Sequence, residues 1–161
     1  MFQLIVAIIS IALIAALAAA SIFYGGSAFT DSSLKANVTT LVNGGQQISG
    51  AQAIYKTDNA GAPATDIAML ADGVYLAAVP TPANAASDAW ALTEDGTHAV
   101  ILLSDEGDVA DKVCSLVASQ NNGATATGTV TDVVVSSGTY SCDGTLTAGE
   151  VDGATLFAFK L

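Results

Sequence analysis

The sequence predicts an α+β protein in which a long N-terminal helix packs on a small antiparallel sheet, with a disulfide loop in the C-terminal third. Three observations predict it. The first two dozen residues are apolar, a helical apolar period follows them to about Tyr55, and the remainder holds short β-branched runs between turn residues, together with two cysteines. At 161 residues the chain has room for one ordinary domain and an appendage. Its 52% hydrophobic content overstates the core, because the apolar residues concentrate before Tyr24 and the rest is rich in Gly, Ala, Ser and Thr. Two environments follow, one for residues 1–24 and another for a soluble domain.

Met1 to Tyr24 contain no charge, no Gly and no Pro. As a helix this segment extends about 36 Å, enough to cross the hydrocarbon core of a bilayer. Three readings compete for it: a secretory signal peptide, a permanent transmembrane anchor, and an assembly helix that packs against copies of itself. A signal peptide opens with a basic region, yet Met1, Phe2 and Gln3 carry no positive charge and the first lysine is Lys35. An ordinary anchor has basic flanks that fix its orientation, and both flanks lack them. That absence is expected if a basic leader preceded Met1 and has been removed. Ala12, Ala16 and Ala20 recur at four-residue spacing and permit close approach of helices, while Phe2, Leu4, Ile5, Ile8 and Ile9 supply bulk, a composition that suits many helices side by side.

Gly25 and Gly26 end the apolar run and are expected to loosen the helix, since glycine in a helix interior costs up to about 1 kcal/mol. Helical periodicity then resumes. Leu34, Val38, Leu41, Val42, Ile48 and Tyr55 share one stripe, with Asp31, Lys35, Asn43 and Gln52 off it, which predicts an amphipathic helix over residues 25–55. Gly44 and Gly45 are expected to interrupt it as a second soft point. The first 55 residues thus form one long helix, and residues 56–161 form the globular head.

Within the head, residues 56–65 read as a loop and Thr65 or Asp66 as the cap of a short helix ending at Asp72 and Gly73. Val74 to Val79 is expected to be extended, stopped by Pro80 and Pro82. Trp90 to Leu92 and His98 to Leu103 form a hairpin around Glu94-Asp95-Gly96-Thr97. Ser104 or Asp105 caps a helix that buries Val109, Val113, Leu116 and Val117, carries Cys114, and ends near Asn121, Asn122 and Gly123. Gly128 to Val135 is expected as one strand, Gly138 to Gly144 as a turn bearing Cys142, and Ala154 to Leu161 as a closing strand. Cys114 and Cys142 are the only cysteines, and their spacing matches no zinc motif. A disulfide between them is the economical reading, two buried thiols the alternative; a disulfide implies a periplasmic or extracellular head.

Composition also argues against whole classes of function. A net charge of -11, with no arginine, repels phosphate backbones, so no direct nucleic-acid binding is expected. His98 is the only histidine, so no histidine pair is available for a metal, and neither a nucleophile elbow nor a phosphate-cradling glycine loop is present. No enzyme activity, metal or cofactor is expected. Asp105, Glu106, Asp108 and Asp111 do not have EF-hand spacing and are read as favourable charge in a first helical turn. Asn37-Val38-Thr39 is a glycosylation sequon on expected helix.

The charge-poor helix running into an amphipathic half, the α+β head and the C-terminal cysteine pair together resemble a mature bacterial type IV pilin, nearest the IVb group. The run MLADGVYLAAVPTPANAASDAW from Met69 to Trp90 is similar in order to the Leu, Gly-Tyr-Leu, Pro, Asp-x-Trp pattern of pilins and major pseudopilins. The resemblance implies a ladle-shaped subunit of a helical homopolymer, held in the inner membrane before assembly and then displayed at the cell surface. It further implies a prepilin peptidase that cleaves the chain and methylates its new N-terminus, an assembly ATPase and an inner-membrane platform. The family carries glutamate at the fifth mature position, where this chain has Ile5, so registration would rest on apolar packing and on Gln3. The expected function is a filament subunit of the fimbrial kind, serving roles such as adhesion. The alternatives are a type II secretion pseudopilin and a membrane-anchored binding or adhesin domain that does not polymerise.

Overall fold

The computed structural model describes residues 2–83, 90–104, 109–121, 123, 126–128, 133–143 and 155–161. Helix α1 covers Phe2–Asp58, three residues beyond the expected end at Tyr55. It is followed by α2 (Ile67–Leu70), β1 (Ala91–Leu92), β2 (His98–Leu103), α3 (Val109–Gln120), β3 (Ala126–Gly128), β4 (Val133–Val135), β5 (Tyr140–Asp143) and β6 (Thr155–Lys160). The chain divides into two compact units, Met1–Ser33 and Leu34–Leu161.

The second unit is built on an antiparallel sheet of order β1-β2-β6-β5. Its registers pair Ile101 with Phe157 and Ala99 with Phe159 on one side of β6, and Cys142 with Phe157 and Tyr140 with Phe159 on the other. Side chains alternate across a strand. Ala99, Ile101, Leu103, Phe157 and Phe159 therefore join Val38, Leu41 and Ile48 of α1 and Val113 and Val117 of α3 in the main core. On the opposite face Val100, Leu156 and Ala158 pack with Ala126 and Val133 of the β3–β4 hairpin. A strand covered on both faces reads as a continuous apolar run, and Thr155 through Phe159 are all buried. The expected closing strand is thus a central one.

The amphipathic stripe forms as expected. Val38, Leu41 and Ile48 are buried, with Leu34, Val42 and Tyr55 packed against them. Gln52 departs from expectation: it lies off that stripe yet is 1% exposed. Its Nε2 donates to the carbonyls of Ala64 and Gly96 at 3.0 Å each, and its Oε1 accepts from Ala64 N at 3.3 Å. Burying this amide costs little because its hydrogen bonds are met, and it ties α1 to two loops. The glycine pairs also depart. Helix α1 runs through Gly25, Gly26, Gly44 and Gly45 without a break; at Gly44 and Gly45 tertiary packing overrides the weak local preference of glycine.

Three further expectations are corrected. Val74 to Val79 joins no strand; the segment instead turns from Asp72, whose carboxylate accepts from Val74 N at 2.8 Å. Gly128 to Val135 is not one strand, since Gly128 pairs with Val133 and Ala126 with Val135 in an antiparallel two-stranded sheet. β-branched content reports a fit to a pleated surface but not where the chain reverses. Cys142 lies on β5 and not in a turn, because Ser141 and Cys142 pair with Ala158 and Phe157 of β6. Met1, the residues Asp105, Glu106 and Asp108, Asn122, Gly144 and Ala154 lie outside the described residues.

Candidate functional site

The feature that sets this chain apart is the surface of its first unit. Between Phe2 and Tyr24 every side chain of α1 is exposed, including Phe2 at 80% and Phe23 at 79%. No residue of its most apolar 18-residue window is buried, and the helix is long and apolar enough to cross a membrane. A contiguous apolar surface of this extent is the kind that membranes or protein partners cover. Its two serines are satisfied within the helix. Ser10 Oγ donates to the Val6 carbonyl and Ser21 Oγ to the Leu17 carbonyl, each at 2.8 Å, so neither hydroxyl needs water. Phe2, Gln3, Leu4, Ile5, Ile8 and Ile9 all lie on this exposed helix, as do Ala12, Ala16 and Ala20. A Cβ added at Gly25 meets nothing within 4 Å.

Gly44 and Gly45, by contrast, belong to the head, where they let large rings reach the α1 backbone. A Cβ on Gly44 would lie 3.1 Å from Trp90 Cζ2 and 3.4 Å from Pro80 Cγ, and one on Gly45 would collide with the Phe159 ring. Trp90 in turn meets Phe157 edge-on at 6.0 Å. Both glycines are poor helix formers by local preference, yet the helix continues through them, and the rings they admit come from positions far along the chain.

Cys114 on α3 and Cys142 on β5 form the disulfide, with Cα atoms 5.4 Å apart. It joins a helix of the main core to an outer strand of the sheet. Helix α3 presents Ala110, Val113 and Val117 to the core, with Val109 and Leu116 partly buried, which matches the expected face.

The head's one histidine sits beside the β1–β2 turn, where Gly96 has φ +61° and Gly96 N donates to Thr93 O at 2.8 Å. Asp95 anchors that turn. Its carboxylate accepts from the Thr93 hydroxyl at 2.7 Å, from the Thr97 hydroxyl at 2.8 Å and from Thr97 N at 3.0 Å. These hydrogen bonds, Thr93's first, lower its pKa from 3.8 to about 2. Thr97 Oγ1 lies 2.7 Å from His98 Nδ1, and burial holds the imidazole below its ordinary pKa, opposed by Asp95 and reinforced by Lys160. The arrangement is that of a hydrogen-bonded turn. Among the described residues no three His, Cys, Asp or Glu side chains come together as metal ligands.

Compared with known protein families, characterised proteins and solved structures, the chain matches none. The long apolar N-terminal helix, the small sheet and the C-terminal disulfide are compatible with a pilin.

Proposed function

We propose that the protein is a structural subunit that polymerises into an extracellular, type IV pilus-like filament through its apolar N-terminal helix. The observation that carries this reading is the helix itself: residues 2–24 are apolar and wholly exposed, while the same helix continues into the core of a disulfide-stapled domain. Copies wait in the inner membrane, where lipid covers the apolar segment. Transfer from bilayer to filament exchanges lipid contacts for protein contacts, so the gain comes from packing and small-residue fit, and extraction requires work from an assembly ATPase acting with a membrane platform. A prepilin peptidase prepares the subunit. The disulfide supports a head placed outside the reducing cytoplasm.

Imaging decides it. Material sheared from cells expressing the protein should contain filaments by electron microscopy, and these should disappear when residues 2–23 are removed. Protein found only in the membrane fraction, with no filaments in any preparation, would refute polymerisation and leave a membrane-anchored binding domain. Filaments confined to the periplasm would identify an export component of the pseudopilin kind.

A further inference from the structure

We propose that the apolar helix pairs in the membrane with a second copy of the chain, parallel and in register, along the line marked by Gln3, Ser10 and Ser21. An α-helix advances about 100° per residue, which places Ser10 within about 20° of Gln3 and Ser21 at about 0° from it. All three polar side chains between Phe2 and Phe23 therefore share one meridian of α1, on a segment otherwise built of aliphatic and aromatic residues. Ala7, about 40° away, flanks it with a small side chain that lets a neighbour approach.

The three are not equivalent. Ser10 and Ser21 donate to their own helix, at the carbonyls of Val6 and Leu17. Gln3 makes no hydrogen bond among the described residues, and the positions one turn on, Val6 and Ala7, carry no polar side chain. An amide without a partner is strongly disfavoured in an apolar phase. A carboxamide donates and accepts at once, so its complement is an identical carboxamide at the same depth. A parallel second copy supplies that group, and the pairing then sets register in the way a single polar residue does in a coiled coil. The serines, already satisfied internally, retain lone pairs toward the same neighbour.

The pair rests on the reading that copies meet through this helix, but it is tested before any filament forms. Cys114 and Cys142 are bonded to each other and are the only cysteines, so a single introduced cysteine is the sole free thiol. Full-length chains carrying Ser10→Cys, Ser21→Cys or Ala12→Cys are reconstituted into phosphatidylcholine vesicles, oxidised, and resolved without reductant. Covalent dimers are expected at Ser10→Cys and Ser21→Cys and not at Ala12→Cys, which lies about 180° from Gln3. Adding Gln3→Leu to Ser21→Cys should weaken association about three- to twentyfold, the range of interhelical hydrogen bonds in membranes, whereas Gln3→Asn should restore it. Equal crosslinking at Ala12→Cys, or association unchanged by Gln3→Leu because the amide reaches lipid headgroups instead, would overturn the proposal. Vesicle dimers from a chain that never makes filaments would support the pair and count against polymerisation. Filaments from a chain that does not crosslink in vesicles would overturn the pair alone.

Discussion

Gly45 and Gly50 lie five residues apart on one helix and face opposite demands. At Gly45 the Phe159 ring occupies the space a methyl group would need, while at Gly50 a Cβ meets nothing within 4 Å. Gly45→Ala should therefore destabilise the head by about 1–3 kcal/mol through overpacking. Gly50→Ala should stabilise it by about 0.5–1 kcal/mol, because it removes backbone freedom from the unfolded chain at no steric cost. Denaturant titration of the two variants gives both signs in one experiment. Asp95 supplies a pH dependence at the same scale. Its folded pKa is about 2, below the 3.8 of an ordinary aspartate, so its hydrogen bonds stabilise the fold above about pH 4 and that contribution is lost as pH falls toward 2. The difference in melting temperature between the native chain and Asp95→Asn should accordingly shrink between pH 6 and pH 2. His98 acts in a separate window: its folded pKa is lowered by burial, so its contribution is present above its unfolded value of 6.5 and falls away as pH drops below it.

At the scale of elements, the disulfide is the tie between α3 and β5, which bracket the β3–β4 hairpin in sequence. Among the described residues that hairpin shares no strand pairing with the main sheet, and it is held through the small cluster around Val100, Leu156 and Ala158. Replacing both cysteines by serine should lower stability by about 2–4 kcal/mol, chiefly by freeing the unfolded chain. Hydrogen exchange should then show its largest loss of protection in α3 and β5. The paired β2 and β6, buried in two clusters and joined along six register pairs, should remain the slowest to exchange. Uniform loss across all four strands would show that the bond stabilises the whole head cooperatively and not this junction.

For the molecule as a whole, the boundary after Ser33 separates a unit whose residues 2–24 are exposed from the unit that holds the core. Every buried apolar side chain among the described residues lies at Val38 or beyond. Removing residues 1–33 should yield a soluble, monomeric, disulfide-bonded head with native circular dichroism, readable by light scattering and a single cooperative melt. Aggregation of that fragment would mean that the apolar segment shields head surface as well as serving assembly. Native chain without detergent or lipid should, in contrast, self-associate, since the apolar side chains from Phe2 through Phe23 are exposed.

Local pattern was enough to read several of these features from the sequence. The stripe Val38, Leu41, Ile48 follows from a 3.6-residue period, the β1–β2 turn from Asp95-Gly96, the α3 face from Val113 and Val117, and the candidate site from an uncharged run of two dozen residues. Each depends on residues close in the chain, and local periodicity encodes which face is apolar. What covers that face is encoded elsewhere. Gln52 looked like a surface amide until the Ala64 and Gly96 carbonyls, 12 and 44 residues away, enclosed it. Gly44 and Gly45 looked like breaks until Trp90 and Phe159 arrived against them. The last strand looked terminal until β2 and β5 paired on its two edges, and Gly128 to Val135 looked continuous until Gly128 met Val133. In each case the deciding contact is non-local, and register and strand order are properties of the assembled sheet that no single segment carries.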